Sequence, residues 1–418
     1  MNPSHKAYYQ TIWAPYANMG LGFWLLTTMV TFGYRGVSGY NDLICGVLLV
    51  VFGFCSISYR NVWAPWAACI VGVWLQLAPL VFWETSPAAY LNDTLIGILA
   101  IAFSVLIPEL PCNVPDTGNA VPPGWSYNPS SWPQRFPVIF FGILAWFASR
   151  YLAAYQLGYI DTIWDPFFGD GTLRVITSDI SRDFPVSDAG LGAFSYTLDV
   201  LLALQGGKRR WHTQPWMVML FGVSVVPASL VSIILIILQP LVVGFWCSLC
   251  LFTAVCMLLM IVFAVNEVTA TWQFLQLKKR EGKSIWKVFW LGDSCHLATK
   301  EENAPLADAP LKDLYRAATL GVQIPWNLVC AALLGIFLMV LPSWLSLSFE
   351  VGKSDAVVGA LAVVVSVIAM AEVIRKSRYA NLLLSFWIIM FSLWMGESLI
   401  SNLVHFLVGV SLVVLSFL

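Results

Sequence analysis

The chain has 418 residues, of which 59% are hydrophobic and 11% are charged, and its formal net charge is −1. Soluble domains carry about 25% charged residues, so this chain has too few charges to cover a globular surface in water. The composition therefore excludes soluble, disordered, collagen-like and nucleic-acid-binding proteins, and it predicts an integral membrane protein.

A membrane-spanning helix needs about 20 mainly apolar residues, because backbone polar groups must be satisfied within the helix. Twelve segments meet this demand, and they predict an all-α polytopic membrane protein with about 12 transmembrane helices. The predicted spans are 17–34, 43–59, 65–83, 94–108, 136–157, 187–205, 216–241, 244–266, 322–341, 355–373, 379–396 and 400–418.

Polar stretches divide these spans into three four-helix bundles, a 4+4+4 arrangement. The predicted units are a bundle at 1–108, a cytoplasmic linker at 109–135, a bundle at 136–270, a basic, amphipathic linker at 271–321 and a bundle at 322–418. The stretch 271–290 fits either an amphipathic helix at the membrane surface or an extension of the preceding span, and the sequence favours neither.

The first bundle contains an internal repeat. Trp13-Ala14-Pro15 recurs 50 residues later as Trp63-Ala64-Pro65, and Gly22-Phe23-Trp24 recurs as Gly72-Val73-Trp74. Each repeat is predicted to be a helix hairpin, and Asn41-Asp42 of the first finds a counterpart in Asn92-Asp93 of the second. A weaker version at 324–327 and 379–381 predicts two further hairpins in the last bundle.

This repeat resembles the SPW-repeat family of small four-helix membrane proteins. The stretch Gly72-Val73-Trp74, followed by Pro79, is similar to the Gly-x-Trp and Ser-Pro-Trp motif of that family, with Ala78 and Leu80 replacing its Ser and Trp. The resemblance covers about 1–108 and 322–418, and it implies a fold and a membrane location but no chemistry.

The middle bundle holds the clearest chemical motif, Cys247-Ser248-Leu249-Cys250. Cysteines at positions i and i+3 share one helix face. The first lies at a predicted helix N-terminus, where free N–H groups and the helix dipole favour a thiolate. The sequence therefore predicts a dithiol–disulfide pair, with Cys247 as the better exposed thiol of lower pKa and Cys250 as the deeper one. A zinc site is not expected, because no second Cys/His pair shares that side.

Three further features accompany this pair. An aromatic outer loop at 158–188 is predicted to pack as a cap over the bundle, the segment Val175-Ile176-Thr177-Ser178 lies within it, and Pro185-x-Ser187-x-x-Gly190 opens the next helix. Together with the CxxC pair, they make residues 136–270 resemble the vitamin K epoxide reductase family.

The resemblance implies that Cys247 and Cys250 are the catalytic redox pair and lie beside a membrane quinone of the menaquinone or ubiquinone type. Ser178, Ser187 and Trp246 are candidate quinone-pocket residues. The family usually carries two further loop cysteines that relay electrons to a thioredoxin-like thiol protein, but the aligned residues here are Trp164 and Thr172.

The orientation follows from the distribution of Lys and Arg. With both termini cytoplasmic, seventeen of the 22 cations face the cytoplasm, and the CxxC pair lies near the outer face. The setting expected for such a protein is the bacterial inner membrane. Arg150 falls inside a predicted span, and snorkelling to the outer surface is its expected behaviour.

The leading functional hypothesis is a membrane thiol:disulfide oxidoreductase that couples the CxxC pair to a quinone. A second is a reductase of a quinone or quinone epoxide that uses the same cysteines. A third is a non-enzymatic scaffold or channel with a degenerate redox bundle. The expected partners are membrane lipid, quinone and an outer-side thioredoxin-like protein, with no metal and no nucleic acid.

Overall fold

The structure, a computed structural model, describes residues 11–34, 36–58, 60–106, 119–300, 309–345 and 347–418. Its described part is almost entirely helical and contains no β-strand beyond two isolated bridges. Much of the first predicted linker, including Cys112, lies outside the described residues.

The first group of helices packs around one apolar core. Its four helices are α1 (Trp13–Phe32), α2 (Val37–Ser56), α3 (Trp63–Val81) and α4 (Pro87–Val105). Each helix contributes buried side chains to the core, for example Leu25, Leu49, Leu75 and Ala100. The pairs α1–α2 and α3–α4 are the two hairpins that the repeat predicts.

The middle group is built on four long helices with shorter ones between them. In chain order the helices are α5 (Trp132–Gln156), α6 (Gly171–Ile176), α7 (Asp179–Arg182), α8 (Asp188–Leu204), α9 (Arg210–Thr213), α10 (Pro215–Leu238) and α11 (Ser248–Arg280). Its core includes Val138, Tyr196, Phe221 and Met260, one from each long helix.

Two short helices precede the last group, which again has its own core. The helices are α12 (Ile285–Leu291), α13 (Leu311–Ala318), α14 (Trp326–Leu345), α15 (Phe349–Ile368), α16 (Ala380–Trp394) and α17 (Leu399–Phe417). Leu338, Val358, Ile388 and Leu412, one from each of α14 to α17, lie in this core.

Close glycine contacts tie the paired helices together and repeat through the molecule. Gly22 faces Gly46, Gly72 faces Gly97, and Gly335 faces Gly359. A Cβ atom on any of these six would lie 2.5–2.9 Å from the facing carbonyl oxygen. In the fourth hairpin Gly409 meets the carbonyl of Ser385. Small residues allow such close helix approach in membranes, so the first and last groups share one construction.

Nine of the described helices are long and apolar enough to cross a membrane, namely α2, α3, α4, α5, α10 (with its continuation to Val243), α11, α14, α15 and α17. These helices agree with an integral membrane protein. The exact count of 12 spans and their 4+4+4 arrangement stay predictions.

Several predicted spans begin too late in the chain. The span predicted from 94 starts at Pro87, the one from 43 starts at Val37, and the one from 355 starts at Phe349. The predicted spans began only after polar residues near the helix starts, among them Asn41-Asp42 and Asn92-Asp93, because these residues are not apolar. In the structure they are buried and belong to the helices. Burial within the bundle, which one sequence segment does not reveal, accounts for the difference.

The linker after the middle bundle begins as an extension of the preceding helix. Helix α11 continues unbroken to Arg280, so residues 271–280 are an extension of the preceding span, and a separate helix, α12, follows the turn at Gly282. The 33 residues of α11 span about 50 Å, more than the ~30 Å core of a bilayer. Near its end the buried Lys278 forms ion pairs with Glu281 at 2.8 Å and Asp293 at 3.4 Å.

Candidate redox site

Cys247 is the N-cap residue of α11, and its side chain accepts a hydrogen bond from the backbone N–H of Cys250 at 3.1 Å. The two cysteines form a disulfide. The sulfur of Cys247 therefore lies at the end of the helix where unpaired N–H groups and the positive dipole stabilise a thiolate once the bond is reduced. Cys247 thus lies at a helix N-terminus, as the sequence predicts.

The segment before the pair fixes the position of Cys247. Helix α10 ends in a π-helical turn, Gln239–Val243, and Gly244 then adopts a left-handed conformation with φ +74°. The buried side chain of Gln239 accepts a hydrogen bond from the backbone N–H of Cys247 at 3.0 Å. The turn thereby closes back on the helix start and holds the disulfide in place.

The loop between α5 and α8, residues 157–187, forms a cap over the CxxC segment, and Asp165 holds it there. The Asp165 carboxylate accepts hydrogen bonds from the backbone N–H of Phe168 (2.8 Å), the hydroxyl of Thr172 (2.6 Å) and the hydroxyl of Ser248, between the two cysteines. Partial burial acts to raise the pKa of Asp165, but these hydrogen bonds outweigh it and hold the pKa well below its ordinary value. Asp165 thus binds the cap to the CxxC segment as a carboxylate.

A glycine allows the cap to approach the CxxC segment closely. A Cβ atom at Gly171 would lie 2.2 Å from the carbonyl oxygen of Trp246, so a side chain cannot fit without moving one of the two segments. Next to it, Arg174 lies over the ring of Phe245 at 4.3 Å. Helix α6 is therefore docked on the residues that lead into the CxxC pair.

A cavity of about 530 Å³ opens beside the disulfide, between the cap, α8, α10 and the start of α11. Its walls are mainly apolar, with Leu152, Ile176, Phe184 and Leu235 among them, and Cys250 lies in the wall. Ten polar residues also contribute to the wall, and such groups can orient a largely apolar ligand. They are Ser149, Ser178, Ser181, Asp188, Ser195, Tyr196, Ser224, Ser232, Gln239 and Thr253.

Of the three predicted pocket residues, the structure places Ser178 in the cavity wall. Ser187 lies outside that wall. It is buried, caps α8 by accepting from Gly190 N–H at 2.9 Å, and donates to Gln156 at 2.5 Å. Trp246 also lies outside it, in a groove that faces Phe349 of the last group. The local sequence predicted that these three residues lie near the cysteines. The direction of each side chain, however, depends on packing between segments that are distant in sequence.

The prediction that Cys247 is the better exposed cysteine is wrong for this conformation. Cys247 is 0% exposed, whereas Cys250 is half-buried and lies in the cavity wall. The cap covers Cys247, and sequence reasoning about the helix terminus did not include that cover. The prediction that Cys250 faces the pocket agrees with the cavity.

Trp164 and Thr172 stand at the two positions where the family resemblance implies loop cysteines, and both residues form hydrogen bonds. Thr172 is fully buried and donates to Asp165, and the backbone N–H of Trp164 donates to Tyr151 at 2.9 Å. The indole of Trp164 is 65% exposed. In the described part of the chain, the free cysteines are Cys45, Cys55, Cys69, Cys256, Cys295 and Cys330, all outside the cap.

Sequence reasoning missed Asp199 of α8. It is fully buried, its carboxylate oxygens have no hydrogen-bond donor among the described residues, and it lies beside Ser224 of the cavity wall. The sequence could have indicated Asp199 as a functional candidate, because it is an acidic residue within a predicted span. Ionisable groups are costly in a membrane and are often functional.

Arg150 does not simply snorkel to the surface. Its guanidinium donates to the hydroxyl of Thr94 in α4 at 3.0 Å and lies over the Tyr90 ring at 4.2 Å. Arg150 thus binds the middle group to the first group. Thr94 lies 56 residues from Arg150 in sequence, so this contact could not be predicted from the sequence alone.

The family comparisons agree with the two resemblances. Residues 136–265 match the model of the Vitamin K epoxide reductase family, and residues 12–107 match the model of the SPW repeat domain. No curated protein and no solved structure is significantly similar to the chain. The middle segment is therefore similar to the vitamin K epoxide reductase family, and the segment before it is similar to the SPW repeat domain. The assignment of 322–418 as a second SPW-like bundle stays a prediction.

Proposed function

We propose that this protein is a membrane thiol:disulfide oxidoreductase, in which Cys247 and Cys250 exchange two electrons with a membrane quinone. The observation that carries the proposal is the position of Cys250: it is bonded to the N-cap cysteine of α11 and lies in the wall of an apolar cavity. The match of residues 136–265 to the Vitamin K epoxide reductase family supports an oxidoreductase of this kind.

The cavity has the properties that a quinone ring requires. Its volume of about 530 Å³ is within the ~300–1,000 Å³ range of small-molecule sites. The side chains of Phe184, Leu191 and Leu235 offer apolar contact, and the hydroxyls of Ser178 and Ser224 offer hydrogen bonds for ring oxygens. Menaquinone or ubiquinone is the proposed ligand class, and no residue set in the cavity calls for a metal.

The proposed reaction begins with the reduced pair. The thiols of Cys247 and Cys250 form a disulfide, and the two electrons and two protons that they lose convert a quinone into a quinol. Two outside thiols then reduce the disulfide and are joined as a new disulfide. The helix N-terminus stabilises the departing thiolate of Cys247, and the Asp199–Ser224 contact is a proton source beside the cavity.

The cap limits which thiols reach the site. Cys247 is fully buried beneath it, and Cys250 opens toward the cavity. A thioredoxin-like protein therefore needs the cap to move before its thiolate can attack. A small thiol entering the cavity can attack Cys250 with the cap closed. This observation favours a second candidate, a reductase of quinone or quinone epoxide driven by small thiols.

The test is to trap the redox state of Cys247 and Cys250 in membranes containing the full chain, with quinone supplied and then depleted. We expect the pair to be oxidised with quinone and to accumulate as dithiol without it. The matched control is Cys256, which lies buried in the same helix and must stay a free thiol in both conditions. A pair whose state is the same with and without quinone would contradict the proposal.

For the topology we propose the bacterial inner membrane, with both termini cytoplasmic and the CxxC pair near the outer face. The basic residues support it, because Lys208, Lys278 and Arg316 belong to cytoplasmic segments in this orientation. Reporter fusions to the C-terminus and to the cap distinguish the orientations: a reporter active only in the cytoplasm must work at the C-terminus and fail in the cap.

A further inference from the structure

The two hairpins of the first group exchange hydrogen bonds reciprocally. The indole N–H of Trp24 in the first hairpin donates to Asn92 of the second at 2.9 Å, and that of Trp74 in the second donates to Asn41 of the first at 2.7 Å. Each asparagine directly precedes an aspartate. The reciprocal bonds therefore bring Asp42 and Asp93 together in the middle of the bundle.

The two carboxyl groups are buried and are linked through Asn92 and Tyr34. Asp42 is 0% and Asp93 2% exposed. The side-chain amide of Asn92 lies 3.4 Å from Oδ1 of Asp93 and 3.5 Å from the hydroxyl of Tyr34, which itself donates to Asp42. One oxygen of Asp42, Oδ2, accepts hydrogen bonds from Thr28 (2.8 Å) and from Tyr34. The other, Oδ1, is buried and has no hydrogen-bond donor among the described residues. This unpartnered oxygen indicates that a ligand is missing from the site.

We propose that Asp42 and Asp93 form a proton-binding site in the first bundle, with one proton shared between the two carboxyl groups. Two adjacent carboxylates in a low-dielectric interior repel each other, so they are not both ionised. A proton removes this repulsion and gives Oδ1 of Asp42 its missing donor.

The hydrogen bonds also assign the proton to one partner. Asp42 accepts from two hydroxyl groups, which stabilise the ionised form of a carboxyl group. Asp93 has one long contact, 3.4 Å, from the side-chain amide of Asn92. Asp93 is therefore the protonated acid, and it donates to Asp42.

The last group repeats the site with a different pair. Asp355 and His405 occupy the equivalent positions, each four residues before a glycine of the helix contact, as Asp42 and Asp93 are. They are buried and joined at 2.9 Å. The indole of Trp387 donates to Ser354, the residue before Asp355, at 3.0 Å, as Trp74 donates to Asn41.

This second pair decides between a proton and a metal cation as the ligand. An Asp–Asp pair with one proton and an Asp–His pair with one proton both hold a single proton between two side chains. A protonated histidine repels a sodium ion. A metal-cation site would therefore not be retained in the last bundle, where His405 stands at the position equivalent to Asp93. The feature common to both bundles is the bound proton.

The surroundings define which other groups titrate near the pair. Ser38 donates to half-buried Glu84 at the end of the bundle that contacts the cap, where the hydroxyl of Tyr159 also meets the Glu84 backbone. The basic Arg150 is bound to Thr94 and to neither carboxyl group. The titratable groups that face the pair from the packed elements are Tyr34, Cys45, Glu84, Tyr90, Arg150 and Tyr159.

The test is infrared spectroscopy of the full chain in lipid bilayers, which detects the C=O stretch of a protonated carboxylic acid. We expect Asp93→Asn to remove one such band, and Asp42→Asn to shift that band because a neutral amide replaces the carboxylate that accepts from Asp93. The matched control is Asp199→Asn, another buried acid, which must leave that band unchanged. A band that survives Asp93→Asn unaltered would overturn the proposal.

Two further measurements keep the test decisive. Asp93→Glu retains a carboxyl group, so the band must persist at a shifted frequency, which separates loss of the proton from loss of the fold. Adding sodium chloride in place of potassium chloride to the unmodified protein must leave the band unchanged. If sodium removes the band, the site binds a cation and the assignment of a proton is wrong.

Discussion

The middle and first bundles bury polar groups in opposite ways. In the middle bundle, Cys250, Ser178 and Ser224 line a cavity, whereas in the first bundle Asp42, Asp93 and Tyr34 are buried and linked by hydrogen bonds. From this difference we infer that access for a ligand decides the chemistry of each bundle. A cavity admits a molecule, whereas the proposed Asp42–Asp93 site admits only a proton. Both bundles are made of four long helices, so helix count alone does not reveal which behaviour to expect.

The largest effect is expected from Cys250→Ser. This change removes the thiol in the cavity wall, and we expect thiol-driven quinone reduction to fall by at least about 10³-fold. Quinol formation by the purified chain with a small dithiol and a soluble quinone measures it. Cys45→Ser in the first bundle and Cys256→Ser deeper in α11 are the matched controls, and comparable losses in all three variants would break the comparison between bundles.

The next effect is expected from Asp199→Asn. The change keeps the shape of the side chain but removes a proton donor behind Ser224, so quinone reduction should slow by about 10²-fold. Single-turnover reduction of quinone by the pre-reduced protein is the measurement. Asp42→Asn, a buried acid in the closed cluster, should leave that rate unchanged; an equal loss there would mean that the two acids serve one reaction.

A smaller effect is expected from Asp165→Asn, which weakens the bonds between the cap and the CxxC segment. We expect alkylation of Cys247 in the reduced protein to accelerate by about 5- to 10-fold, a modest value because Asp165 is partly solvated. Asp161→Asn, exposed on the same loop, is the control. An unchanged rate for Asp165→Asn would show that the cap is held by apolar contacts alone.

The pH dependence of this effect has a definite sign. The pKa of Asp165 in the folded protein is lower than in an unfolded chain, about 3.9, so its stabilisation is complete above that pH and is lost as the pH falls through the lower folded-state value. The ratio of the alkylation rates of Asp165→Asn and the unmodified protein should therefore stay constant between about pH 5 and pH 8.

The smallest effect is expected from Trp24→Phe and Trp74→Phe. Each removes one hydrogen bond between the hairpins and should lower the free energy of unfolding by about 1 kcal/mol. Thermal unfolding in detergent measures it. Trp13→Phe, whose ring packs on Phe103 at 5.5 Å, is the matched control. Equal losses at all three positions would show that ring size matters, and not the indole N–H.

Much of the candidate redox site was predictable because its determinants are local. The i, i+3 spacing and the helix start predicted that Cys247 lies near a helix N-terminus, and the repeat of Gly22 and Trp24 at Gly72 and Trp74 predicted two similar hairpins. The burial of Cys247 was not predictable, because the cap that covers it is held through Asp165 and Gly171, and both contacts join segments about 75 or more residues apart in sequence.

The proton site was missed for a related reason. Asn41-Asp42 and Asn92-Asp93 look like loop residues when each segment is judged by its own apolarity. Their burial depends on donors from the other hairpin, Trp74 and Trp24. Sequence periodicity identifies an apolar helix face, but it does not show that a polar residue has a partner on another helix.

The reciprocal bonds between the hairpins have a consequence for biosynthesis. When the ribosome has completed α2, Asn41 is already committed to the bilayer, but its donor Trp74 has not yet been synthesised or inserted. A polar side chain without a hydrogen-bond partner in lipid is energetically costly. The first hairpin therefore cannot reach its final packing until the second hairpin has been inserted. The two hairpins must therefore mature as a single unit, and a chain that stops between α2 and α3 would expose its unpaired polar residues to the quality-control proteases of the membrane.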